Sequence, residues 1–394
     1  MSAATPTEPW DRSVETLIRE SLPHVYTVTF HNAAGLEIRG FNVTSCTVRL
    51  DEYWSPYLQA TLTITLPPAG GLALLDPRLL VTVTISAGYV LADGLTDVHP
   101  IGIGYLARRT INQPDNQVTL EVAGPEYLVE EWRSLAQEWA FDGDELRATD
   151  WHDTTEARDA VRTCLDVCGA IDNYDDPRFD YYNAMDTTGW APAPPDFWIP
   201  REGDPALPIA RDIAGRIGGW FRCDELGKWR LTPRPVDDDN AQIVHYLRAG
   251  VDGTLINSDG TLSREGWANA VLVHYQWGSA DNQQVLGSAW ISSGPYAVDV
   301  VGTVVHSIES PNKASAAHAD RRAASALKQL IGMGFAYSVE AVAAYWVRPT
   351  DVISLDLGVE DAQLAFVSSI AWDLDAGRMS ITTRQPAPGT ITSP

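Results

Sequence analysis

From His24 onward the chain alternates apolar and polar positions with a period of two, as strands with one buried face do. Val25-Tyr26-Thr27-Val28-Thr29-Phe30 is the first such run, and His31-Asn32-Ala33-Ala34-Gly35 reads as its turn. Runs rich in Val, Thr and Ile follow at 42–50, 58–66, 79–87, 101–111 and 117–123, with turn residues between them. Strands so closely spaced predict a compact antiparallel barrel or sandwich over residues 24–125. Ahead of it, Val14, Leu17 and Ile18 share one face of a short helix at 10–21, stopped by Pro23, within an N-terminal arm of residues 1–23.

The period changes at Pro125. Helices are expected at 126–139, at 154–168 with Gly169 ending it, and at about 206–217. Residues 172–200, rich in Asp, Tyr and Pro, read as loop, and a hairpin follows: Gly219-Trp220-Phe221-Arg222-Cys223, a turn at Asp224-Glu225-Leu226-Gly227, then Lys228-Trp229-Arg230-Leu231-Thr232. Residues 126–235 thus form an α+β insert between two β-rich parts. The second part, 236–386, carries strand-like runs at 269–277, 289–292, 300–308, 336–343, 352–357, 365–374 and 378–384. One Ala-rich helix, 313–331, interrupts it and is closed by Gly332. Asp252-Gly253-Thr254 and Asp259-Gly260-Thr261 read as turns of a long protruding hairpin, because Asp-Gly is a hairpin turn signal. Residues 387–394 are a Pro/Thr/Ser stub, expected to be loose. No repeat of about 20–50 residues is visible.

Charge narrows the function. The 52 acidic and 28 basic residues give −24, which argues against a protein that wraps nucleic acid, since phosphate binding needs clustered Lys and Arg. The acidity serves either solubility or repulsion of a polyanion. With 45% apolar residues the chain can bury sizeable cores. Cys46, Cys164, Cys168 and Cys223 show no tight zinc spacing, and Cys164 and Cys168 share a helix face in poor geometry for a disulfide; buried thiols are expected. The first nine residues lack a basic and then apolar leader, and no stretch approaches the roughly 20 apolar residues of a membrane helix, so a soluble chain without export signal or membrane span is expected.

Candidate chemistry is thin. The carboxylates of 172–186 lack the alternating ligands, central Gly and distal Glu of an EF-hand, so a solvated loop is expected there. Trp151-His152-Asp153 offers adjacent groups that rarely chelate together, and the eight histidines are scattered. No Gly-x-Ser-x-Gly elbow and no Walker loop occurs. No catalytic, cofactor-binding or metal-ligating residue is nominated, no cofactor is expected, and the protein reads as a non-enzyme. The 14 Trp are dispersed and are expected mostly in cores, although exposed ones could stack on sugars or anchor an interface.

The segment from Ile209 to Leu231, a helix ending in Gly, an aromatic strand, an Asp-x-x-Gly turn and a second strand before Pro233 and Pro235, resembles the hub proteins of phage tails. These include the central hub of contractile baseplates and minor tail proteins of actinobacterial siphophages. Asn269-Ala270-Val271 resembles the Asn-x-Val strand opening the second hub barrel, and residues 316–331 the helix that follows. Pro349-Thr350-Asp351-Val352 resembles the Pro-Gly-Asp-Val turn, with Thr350 in place of the usual Gly; the closing hairpin at 370–384 also fits. The resemblance covers residues 24–385 through short motifs. It implies a mainly β protein with an α+β insert and two antiparallel, tube-like β-barrel domains, packed as a homotrimer around a channel. Its implied partners are the tail tube or distal-tail protein, other tail-tip proteins and the tape measure protein, with DNA only passing through the lumen. The implied location is the virion tail tip, after assembly in the host cytoplasm. Two other readings stand beside it: a distal-tail ring or carbohydrate-binding receptor protein, and a tail-associated cell-wall hydrolase.

Overall fold

The computed structural model describes residues 22–68, 70–91, 93–131, 157–171, 176–181, 206–233, 242–251, 253–276, 284–310, 314–332, 335–358, 361–385 and 391–393. The helix expected at 10–21, Trp151-His152-Asp153 and most of the 172–200 loop lie outside these residues.

The first β region holds β1 (His24–His31), β2 (Glu37–Ile38), β3 (Val43–Asp51), β4 (Leu58–Thr65), β5 (Thr82–Val90), β6 (Thr96–Asn112) and β7 (Gln117–Ala123). Period-two alternation does its work most plainly in β4, where Leu58, Ala60, Leu62 and Ile64 are buried and the residues between them are not. Each fully buried Leu or Ile contributes roughly 1.5–3 kcal/mol. β5 starts at Thr82 rather than 79 because Asp76 caps a 3-10 turn at Pro77–Leu79, accepting from the Arg78 N–H.

The insert follows. Its elements are α1 (Glu126–Glu131), α2 (Ala157–Val167), β8 (Phe179–Tyr181), α3 (Ala206–Arg216), β9 (Gly219–Cys223) and β10 (Trp229–Pro233). β8, β10 and β9 form a small three-stranded sheet on which α2 and α3 bury Val161, Leu165, Ile209 and Ile213. Cys164 and Cys223 are buried in this core, and Cys168 is half-buried. Burial pushes the Cys168 thiol up to about 11, so it stays protonated near neutrality.

The remaining elements are β11 (Ile243–Arg248), β12 (Leu255–Leu262), β13 (Ala270–Gln276), β14 (Gln284–Ile291), α4 (Val298–Val301), β15 (Val305–Ser310), α5 (Ala316–Ile331), β16 (Phe335–Val342), β17 (Val352–Asp356), β18 (Gln363–Asp373), β19 (Arg378–Arg384) and β20 (Ile391–Thr392). They divide between two sheets. β11, β12 and β16 to β19 join the first region in one 13-stranded sheet, ordered β12-β16-β19-β18-β3-β4-β7-β6-β5-β1-β2, with β17 on β18 and β11 on β17. The seam is the antiparallel pair β3–β18, running from Asp51↔Ser369 to Thr47↔Asp373. A single core crosses that seam, from Leu50 and Leu62 to Ile353, Ile370 and Trp372.

β15, β13, β14 and β20 form a separate four-stranded sheet, covered on one face by α5. Ser315 caps α5, accepting from the His318 N–H, and Ala319, Ala323, Leu327 and Ile331 line its buried stripe. Gly287 of β14 lies directly beneath Ala319, and a methyl group there would overlap the helix backbone.

Two expectations are corrected. Asp259-Gly260 is no hairpin turn: it runs through the middle of β12, paired with Ser338 and Tyr337 of β16. Gly260 is placed there because the Tyr337 ring covers its α-carbon, leaving 3.0 Å for any side chain. The stub after residue 386 is not wholly loose either, since Ile391 and Thr392 pair with Ile291 and Trp290 at the edge of β14.

Gly287→Ala is expected to destabilise the protein by about 1–3 kcal/mol, because α5 must lift off the sheet. Chemical denaturation of the two proteins measures it, and an unchanged midpoint would mean that the helix does not rest on β14.

Candidate functional site

Charged side chains concentrate where the insert meets the two β regions. Glu126, the first residue of α1, is buried and takes three donors: the Tyr57 N–H at 2.5 Å, the Cys223 N–H at 3.1 Å and Arg211 Nη2 at 3.1 Å. Arg211 also donates to Ser55 Oγ at 2.9 Å. One carboxylate therefore ties the β3–β4 connection, α3 and β9 together. Burial raises its pKa, and Arg211 and the backbone amides oppose that rise.

The Asp224–Gly227 turn is the second tie. Asp224 Oδ1 accepts from the Leu226 and Lys228 N–H groups at 3.0 and 2.8 Å, and Gly227 takes a positive φ of 82°. This is the Asp-x-x-Gly turn legible in the sequence. It projects Glu225 between the two β regions: its carbonyl accepts from Ile103 N–H of β6 at 2.7 Å, and its carboxylate accepts from Arg348 Nε at 2.5 Å. Arg348 also donates to the carbonyls of Tyr345 and Val347 and lies 5.3 Å from the Trp372 ring.

A third tie spans the seam itself. Arg384 Nε of β19 donates to Glu52 Oε1 at 2.7 Å, with side chains 3% and 0% exposed, while the arginine lies over the Phe366 ring.

Between these ties opens a cleft of about 340 Å³, lined by Trp54, Tyr57, Arg211, Trp220, Arg222 and Arg322 among others. Arg322 of α5 pairs with Asp212 of α3 and donates to the Tyr275 hydroxyl at 2.8 Å, so α5 closes one wall.

The motif residues of the second β region play structural parts. Asn269 is fully buried, donates to the carbonyls of Tyr296 and Gly302 at 3.1 and 2.8 Å, and accepts from the Val304 N–H at 2.7 Å. It thereby fixes the α4 loop against β13. Thr350 holds φ at 77°, the left-handed geometry that glycine adopts freely, so the turn keeps its shape without the glycine.

The sequence nominated no site residue, and the junction shows why. Glu126–Cys223, Glu225–Arg348 and Glu52–Arg384 join residues far apart in the chain, and no local pattern announces such pairs. Of the acidic stretch 172–186, residues 176–181 are described: Asp176 pairs with Arg178 and Asp180 with Arg230. Among the described residues no group of three or more His, Cys, Asp or Glu is placed to hold a metal. His318 serves the α5 cap and His24 meets the Tyr345 hydroxyl at 3.0 Å. Trp229 and Trp372 are fully buried, whereas Trp54 stands 37% exposed at the cleft rim.

The sequence matches no known family profile and no curated protein. The fold does have solved counterparts. A tail protein from Neisseria meningitidis MC58 superposes with a TM-score of 0.61 at 10% identity, over 91% of this chain and 96% of its own. The 43 kDa tail protein of prophage MuSo2 from Shewanella oneidensis gives 0.58 at 11% identity, over 91% and 98%. Prophage tail protein gp18 from Listeria monocytogenes EGD-e gives 0.51 at 8% identity, over 91% and 94%. The chain has the fold of phage tail proteins, along nearly its whole length, and the resemblance read from the sequence is borne out there.

Arg384→Met removes the cation that donates to the buried Glu52 Oε1 and is expected to cost about 3–5 kcal/mol, whereas adding Glu52→Gln recovers much of it. A denaturation double-mutant cycle reads the coupling; additive losses would show that the pair is uncoupled. Thr350→Gly relieves the strained φ and is expected to stabilise the protein by about 1 kcal/mol, seen as a higher melting temperature.

Proposed function

We propose that the chain is a structural hub subunit of a phage tail tip, a non-enzymatic component of the virion. Copies form a ring around the DNA channel and join the tail tube or distal-tail protein to the other tail-tip proteins, with the tape measure protein ending at the same place. The observation that carries this reading is the match of fold to whole tail proteins, rather than to a fragment of them.

In this reading residues 24–125 and 236–386 act as two tube-like lobes, and residues 126–235 as the insert that meets neighbouring proteins. The β3–β18 seam supports it, because it fixes the angle between the lobes within each subunit. A homotrimer would then present six similar lobes, enough to match a sixfold tube. The net charge of −24 suits a lumen through which DNA slides without sticking.

Negative-stain imaging of the purified full chain, with immunogold labelling of virions, tests the reading. Ring-shaped threefold particles and gold at the distal tail tip are expected. Gold elsewhere on the virion, or no labelling, would contradict it.

A further inference from the structure

Arginines around the junction come with carboxylates. Arg211 holds Glu126, Arg230 holds Asp224, Arg322 holds Asp212, Arg348 holds Glu225 and Arg384 holds Glu52. Arg222, on β9 in the wall of the cleft, is the exception among the described residues. Its Nη1 donates to Thr232 Oγ1 at 3.3 Å, and its guanidinium lies 3.5 Å from the Trp220 ring centre and 5.7 Å from that of Tyr57. Its Nε is buried and meets no acceptor among the described residues. Asp224 and Glu225, the carboxylates that influence it, are each engaged by another arginine. Burial lowers the Arg222 pKa, as expected for a cation taken from water without full compensation.

A largely buried guanidinium with spare donors is a fork that fits a carboxylate in two-point geometry. Among the described residues no carboxylate pairs with it. The ring of Trp220 holds it from one side, and Tyr53 and Trp54 stand 40% and 37% exposed at the rim, where they offer apolar surface beside the charge. A single uncompensated cation is too little for nucleic acid, which needs a cluster. The volume of about 340 Å³ admits a few residues of an extended chain.

We propose that this cleft docks an acidic peptide segment of a neighbouring protein, whose carboxylate pairs with Arg222 while an adjoining apolar side chain lies against Trp54 at the rim. That the segment comes from a tail protein rests on the hub reading; the binding itself does not.

The test is fluorescence anisotropy of the full chain with a fluorescein-labelled hexapeptide of alternating glutamate and leucine, beside its lysine–leucine counterpart. Saturable binding of the acidic peptide alone is expected, weakened at least about tenfold by Arg222→Gln and also by Trp54→Ala, which lies at the exposed rim. The melting temperature of Arg222→Gln should stay within about 2 °C of the parent, because no ion pair is lost. Failure of the parent protein to bind the peptide, or binding by either variant as tight as the parent's, would overturn the proposal. So would displacement by inorganic phosphate at the peptide's own concentration, which would reduce the cleft to an anion subsite. Self-association of the chain that depends on Arg222, without peptide binding, would name a second copy as the occupant and overturn it too.

Discussion

The pairing of β3 with β18 is the constraint on which the rest of the architecture depends. It brings residues 47–51 against residues 369–373 and merges strands from both ends of the chain into one sheet. Loop closure over such a separation is entropically unfavourable, so the seam must be held by more than its own ladder. The shared core beneath it, with Leu50, Ile370 and Trp372 fully enclosed, provides that. Glu52 and Arg384 close its end inside the protein rather than in water.

Ionic ties of this kind specify an arrangement more than they stabilise it, because desolvating each charge offsets much of the Coulomb gain. Here they choose how the insert sits. Glu126 accepts from elements on three sides, and the Glu225 turn reaches both β regions through one carbonyl and one carboxylate. Any apolar contact would tolerate sliding; a buried carboxylate with fixed donors does not. Among the described residues Arg222 is the junction arginine without an ion pair.

Much of the fold was legible because β4 keeps a strict period of two and β3, β7 and β19 follow it over most of their length, and α3, β9 and the Asp224 turn carry their boundaries in Gly218, Gly227 and Asp224. Where the reading failed, tertiary packing overrode local grammar. Asp259-Gly260 has turn chemistry, yet the glycine is there to admit the Tyr337 ring within a strand. The strand expected at 300–308 begins only at Val305, because residues 298–301 form a helical turn whose loop Asn269 pins. The division of the second β region between two sheets was invisible, because alternation shows that a face is buried without showing against what. The junction was equally hidden: its carboxylates and arginines lie far apart in sequence and resemble any other surface charge.

Native-state hydrogen exchange tests most directly whether the two β regions and the insert turn form one cooperative unit. Amides of β3 and β18, the Ile103 N–H and the Asp224 N–H should open together, with a common free energy and a common response to denaturant. Early, independent opening of the insert turn or of β18, while β3 stays protected, would show that the regions are separate bodies and that the buried ionic ties do not join them.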